Sequence, residues 1–131
     1  MTEIRKHKIE SPDAPEAFGP YSPAVKSDAG SHLFVSGQIG VDARTGEFVS
    51  GGVAAQAERC LENLLALVGS AGGSQASVVK VNIYLKSIED FAAVNEVYAR
   101  HFKEPYPARA CIGGCELPKG ALVEIEAIAA L

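Results

Sequence analysis

Between Val78 and Lys86 the chain alternates cleanly, with Val79, Val81, Ile83 and Leu85 on one side and Lys80, Asn82, Tyr84 and Lys86 on the other, which predicts a half-buried strand. From Val53 to about Ala71 the period becomes helical. Ala57, Leu61, Leu64, Leu65 and Val68 form one stripe, Glu58, Arg59 and Glu62 lie away from it, and Gly69 with the Gly72-Gly73 pair ends the helix. A second helix opens at Ser87, which can cap the free amides with Asp90 in capping-box position. Phe91, Val94, Tyr98 and Phe102 make its apolar face, and Pro105 and Pro107 close it. Asn95, four residues after Phe91, falls on or beside that stripe, so its amide needs a partner.

His32 to Ile39 reads as a strand interrupted at Ser36-Gly37, where a glycine suits a bulge or the close approach of a ligand or another chain. Asp42 to Glu47 is a turn, and Ser50-Gly51-Gly52 is a flexible connection. The opening segment carries Pro12, Pro15 and Pro20, which prevent an early helix. Within it, Phe18-Gly19-Pro20-Tyr21-Ser22-Pro23 is a rigid turn-rich stretch. It supplies either an aromatic lid over the core or a tyrosine, Tyr21, held at the mouth of a site.

The last two strand-like stretches, Pro107 to Ile112 and Ala121 to Ala129, carry charge where a strand is normally quiet. The period of two puts Arg109 and Cys111 on one face of the first, and Glu124 and Glu126 on one face of the second. Pro118 and Gly120 between them suit a reversal, so the two are expected to pair as an antiparallel hairpin that brings Arg109 beside a carboxylate. Two readings stay open there: a site for a small acid, or an ion pair across the sheet. The element order is strand-rich, helix, strand, helix, strand, strand. It predicts an α+β domain spanning residues 1–131, with two helices on one face of a mostly antiparallel sheet. The opposite face keeps apolar groups such as Leu122 and Ile128, which predicts a symmetric oligomer.

Composition narrows the function classes. A net charge of −4 and a pI of 5.3 give no basic footprint for a phosphate backbone, so nucleic acid is not the expected partner. Met1 to Lys8 has charges without an apolar run behind them, and no stretch approaches a membrane span, so a cytoplasmic protein is the default expectation. The three cysteines, Cys60, Cys111 and Cys115, are odd in number and read as reduced thiols. Cys60 sits in a helical stripe as a small apolar residue. Cys111 and Cys115 would share a strand face, but no second cysteine pair accompanies them and His7, His32 and His101 are scattered, so no zinc site is expected.

Gly19-Pro20-Tyr21, Ser36-Gly37-Gln38, Phe91 with Asn95, Pro107 to Cys111, Leu117-Pro118-Lys119 and Val123 to Ala129 occur together and in order. In this combination the chain resembles the Rid family of reactive intermediate or imine deaminases, also called YjgF-like proteins. The resemblance implies a chorismate-mutase-like fold, a homotrimer with sheets inward, active sites between subunits, and neither metal nor organic cofactor. It implies hydrolysis of 2-iminobutanoate and 2-iminopropanoate to 2-oxo acids and ammonia. On that reading Arg109 grips the substrate carboxylate, Glu124 positions or activates the attacking water and helps protonate the departing amine, Tyr21 walls the pocket, and Cys111 acts through its backbone. Ser36 and Asn95 would line or support the site. Gly113-Gly114 and Glu116 depart from many members, which bears on substrate preference. Two other classes remain: a non-catalytic binder of small 2-oxo carboxylates, and the RNA-cleaving or chaperone-like role proposed for some relatives.

Overall fold

The computed structural model describes residues 6–28 and 30–131, so Met1 to Arg5 of the charged opening lie outside the described residues. In chain order the elements are β1 (Lys6–Ile9), β2 (Ala24–Ser27), β3 (His32–Ile39), α1 (Gly52–Ser70), β4 (Val78–Leu85), α2 (Phe91–His101), β5 (Ala108–Ile112) and β6 (Val123–Ala130). The main sheet runs β3-β6-β4-β5. β6 is antiparallel to both β3 and β4, whereas β5 is parallel to β4, so the sheet is mixed.

The expected hairpin between the last two strands does not form, because β4 lies between them. The segment 113–122 carries the chain past the end of β4. Cys115 N–H donates to Leu85 O at 3.0 Å, and Lys86 N–H donates to Leu122 O at 3.0 Å. β6 alternates from Val123 to Ala129 and has ladder partners on both edges; short β5 takes the edge of the sheet. In β4 the register slips between Val78 and Lys80, so Val78, and not the expected Val79, is fully buried with Val81, Ile83 and Leu85. Cys115 falls in the loop beyond β5 rather than on its face.

α1 buries Ala57, Cys60, Leu61, Leu64 and Val68 against β3 and β6, as its stripe predicts. Burial pushes the Cys60 thiol up to about 12, which makes it an inert packing group. Ser87 caps as expected, but the turn it caps is a 3₁₀ helix, Ile88–Asp90, whose Glu89 N–H donates to Ser87 Oγ at 3.2 Å. The 3₁₀ start shifts α2 to Phe91, so Asp90 forms no side-chain cap. α2 buries Val94, Val97 and Tyr98 beside α1, and Glu58 of α1 ties to His101 and Arg100 of α2. Both helices cover one face of the sheet. The other face is open, with Phe34 72 % exposed beside Ile128, Lys80, Asn82, Tyr84, Glu124 and Glu126.

The two-stranded β1-β2 sheet was not legible, because Lys-His-Lys-Ile shows no apolar alternation. What holds it is a lysine. Lys6 is 2 % exposed and donates from Nζ to Val78 O at 2.7 Å, and burial lowers its ammonium from 10.5 to about 8. The unfolded chain therefore holds this proton up to a higher pH than the native state does. Stability should rise from pH 8 to 10.5, by at most about 3 kcal/mol from this group. Urea unfolding of wild type and Lys6→Met across that window checks it: the rise in their difference should vanish if Lys6 titrates normally.

Candidate active site

Parallel pairing sets Arg109 opposite Val81 and Cys111 opposite Ile83, both buried positions on the helix side of the sheet. Arg109 thus meets α2 rather than the glutamates. Its Nη1 donates to Asn95 Oδ1 at 2.7 Å, which supplies the partner that Asn95 was expected to need. Its Cζ lies 4.8 Å from the ring centroid of Tyr98, 5.4 Å from that of Tyr21 and 5.7 Å from that of Phe91, within cation–π range of all three. Burial lowers the guanidinium pKa, yet arginine stays charged. Among the described residues no carboxylate pairs with it. A half-buried cation held by three rings and one neutral oxygen keeps guanidinium hydrogens to spare, which a small anion could accept.

Tyr21 reaches this place because its loop is fastened to the start of β5. Ser22 N–H donates to Pro107 O at 3.0 Å, the Ser22 hydroxyl donates to Tyr106 O, and Tyr21 N–H donates to Gly19 O at 2.8 Å. Tyr21 therefore stands beside Arg109, with its ring centroid 5.4 Å from the guanidinium carbon. Phe18 is no lid: it is 88 % exposed and stands edge-on to Tyr21 at 5.6 Å. Cys111 is half-buried on the Arg109 side. Burial raises its thiol pKa, Arg109 opposes that rise and Cys115 adds to it, which disfavours the thiolate.

Glu124 and Ser36 lie elsewhere. Glu124 sits opposite Tyr84 and Ile39 on the open face, and Ser36-Gly37 form the bulge where the β3 register shifts between Val35 and Gln38. The glycine there admits a side chain of its own molecule. A methyl carbon on Gly37 would lie 1.9 Å from Glu124 Oε2 and 2.8 Å from its Cδ, so the carboxylate rests on bare backbone. The two glutamates of β6 differ in occupation. Glu126 Oε2 accepts from Asn82 Nδ2 at 3.2 Å and from Tyr84 Oη at 2.5 Å, and the bond from Tyr84 raises the Tyr84 pKa. Glu124 has no side-chain partner among the described residues.

Within one copy, then, Arg109 and Glu124 do not meet, contrary to the hairpin reading. Tyr21, Asn95, Arg109 and Cys111 gather on the helix side, and Glu124 with the Ser36-Gly37 bulge belongs to the open side. The ion-pair reading fails with it, since neither glutamate touches Arg109. From the sequence, Phe91 and Tyr98 fall on the apolar face of the second helix, and Phe91 stands with Asn95 among the family motifs, but neither is given a place at Arg109. Their spacing with Asn95 could have flagged them, because residues 91, 95 and 98 share one helix stripe. Gly113 also has a role in packing: a methyl carbon there would lie 2.6 Å from Ile88 N, so the loop after β5 packs directly on the turn that leads into α2. Among the described residues no cluster of three or more His, Cys, Asp or Glu could hold a metal, and no helix is long and apolar enough to cross a membrane.

Residues 11–131 match the family described as endoribonuclease L-PSP. The chain is 49 % identical over 129 residues to "Protein DfrA" of Myxococcus xanthus, covering 98 % of each. It is 43 % identical over 129 residues to the 2-iminobutanoate/2-iminopropanoate deaminase of Homo sapiens, covering 98 % of this chain and 93 % of that one. Among solved structures it superposes on E. coli TdcF with bound serine at a TM-score of 0.72 and 41 % identity, covering 95 % of this chain and 98 % of that one.

Proposed function

Because this chain belongs to the endoribonuclease L-PSP family, the Rid group named above from its motifs, we propose that it hydrolyses small 2-imino acids, 2-iminobutanoate and 2-iminopropanoate first, to 2-oxo acids and ammonia. The observation that carries this reading is Arg109, a half-buried guanidinium with only neutral partners and bonding capacity left over. A small carboxylate complements that guanidinium in charge and in the planar spacing of its donors, and two parallel N–H···O bonds would fix the adjacent C=N carbon.

Glu124 supplies the proton chemistry. It takes one proton from water as the oxygen attacks the imine carbon and passes it to nitrogen, giving a carbinolamine, then takes the carbinolamine hydroxyl proton and passes it to nitrogen as the C=O forms and the C–N bond breaks; both water protons leave in ammonia and water's oxygen remains in the 2-oxo acid. No oxidant or cofactor enters that balance. Since the two residues lie on opposite faces of one sheet, the Arg109 of one copy works with the Glu124 of a neighbour, in a homotrimer that covers the open faces. Asn95 supports Arg109 rather than touching substrate, Tyr21 walls the cleft, the Cys111 backbone borders it, and Ser36 lines it beside Glu124. The net charge of −4 and the aromatic walls around the only unpaired cation of this cluster disfavour an RNA substrate.

The test generates 2-iminobutanoate in situ with a threonine dehydratase and follows its decay. Faster decay with the protein present is expected. A folded protein that binds 2-oxobutanoate saturably but leaves the decay unchanged would instead be a carboxylate-binding protein.

A further inference from the structure

α2 does more than cover the sheet. Phe91, Asn95 and Tyr98 fall four and three residues apart on one stripe, and all three converge on the single guanidinium of Arg109. Asn95 uses one Nη, and Tyr98 offers the nearest of the ring faces, 4.8 Å from Cζ. The Tyr98 ring is itself fixed. It is fully buried, and Phe102, one turn on, stacks on it at 4.6 Å and 31°. Its hydroxyl makes no hydrogen bond among the described residues although it is buried. An unpaired buried hydroxyl is a cost to folding, so what this position gains from tyrosine is the ring face.

We propose that Tyr98 is the positioning residue of the carboxylate clamp: its ring sets the plane of the Arg109 guanidinium, while Asn95 fixes its rotation, so that the remaining hydrogens face the cleft. Side chains that merely fill the core would not do this. An aliphatic residue of similar bulk leaves the guanidinium a half-desolvated cation without a platform, free to turn about its last bonds. The proposal rests on Arg109 being the carboxylate-binding group.

The experiment compares Tyr98→Leu with Tyr98→Phe. Tyr98→Leu should raise KM for 2-iminobutanoate by about tenfold, with kcat held within about threefold, because binding geometry and not proton transfer is lost. Tyr98→Phe keeps the ring and removes the unpaired hydroxyl, so it should restore KM and raise Tm. The second readout is the side-chain NMR spectrum of Arg109, assigned by its loss in Arg109→Lys. Its Nε–H signal should be sharp and slow to exchange in wild type and Tyr98→Phe, and broadened or lost in folded Tyr98→Leu. A folded Tyr98→Leu with unchanged Arg109 signal and unchanged KM would overturn the proposal, as would equal damage from both variants. A wild type that fails to hydrolyse imines would sink the deaminase reading alone, since the spectrum still decides whether Tyr98 holds Arg109.

Discussion

Arg109→Ala is expected to lower kcat/KM for 2-iminobutanoate by about 10²–10³-fold, since two charge-assisted bonds to a carboxylate contribute roughly 3–4 kcal/mol together. The fold should survive. Arg109 stands on an edge strand, bonds only Asn95, and pairs with no carboxylate among the described residues, so its removal strands no buried countercharge. Arg109→Lys should recover little, because an ammonium cannot present two parallel donors while satisfying Asn95. Steady-state kinetics beside thermal melts decide this. Near-wild-type kcat/KM in a folded Arg109→Ala would remove the clamp from the account, and a chaperone-like activity that persists in that variant would point to the surface-based reading.

Glu124→Gln carries the other large effect, a fall in kcat of about 10²–10⁴ with KM little changed, since an amide cannot accept and return the proton. The close approach at Gly37 gives a second route to the same loss. A methyl group there would overlap Glu124 Oε2, so Gly37→Ala should swing the carboxylate off its seat and lower kcat while leaving the Arg109 cleft intact. The two changes should not add. If Gly37 acts through Glu124, the double variant should be no slower than Glu124→Gln alone, and an additive loss would mean that the bulge serves some other group.

Much of the architecture was readable because it rests on local signals. The helical stripe of α1, the alternation of β4 from Val81 onward and the Ser36-Gly37 interruption of β3 all appear where periodicity places them, and only the start of β4 departs, at its register shift. Strand order was misjudged for a different reason. Alternation says which side chains share a face but not which strand lies next, and the segment 113–122 is long enough to step past β4. That one error moved Glu124 to the far side of the sheet from Arg109. Arg109 and Glu124 stood out as candidates all the same, because an arginine and a glutamate are costly in a sheet unless something uses them. The roles of Phe91 and Tyr98 were hidden, since an aromatic at a core position looks the same whether it packs on leucine or on a guanidinium. Lys6 gave no signal at all: a lysine in a polar segment reads as solvated, and only tertiary structure buries it against Val78.

A site shared between copies is tested most directly by mixing two inactive variants. Arg109→Ala and Glu124→Gln chains, co-refolded in equal amounts, each lack one half of the site. In a cyclic trimer with Arg109 facing the neighbour's Glu124, every mixed trimer holds one site in which both residues are intact, so about a quarter of wild-type activity should return. If both residues acted from the same chain, or if one of them had no part in the reaction, the verified mixture would be no more active than the sum of its two components.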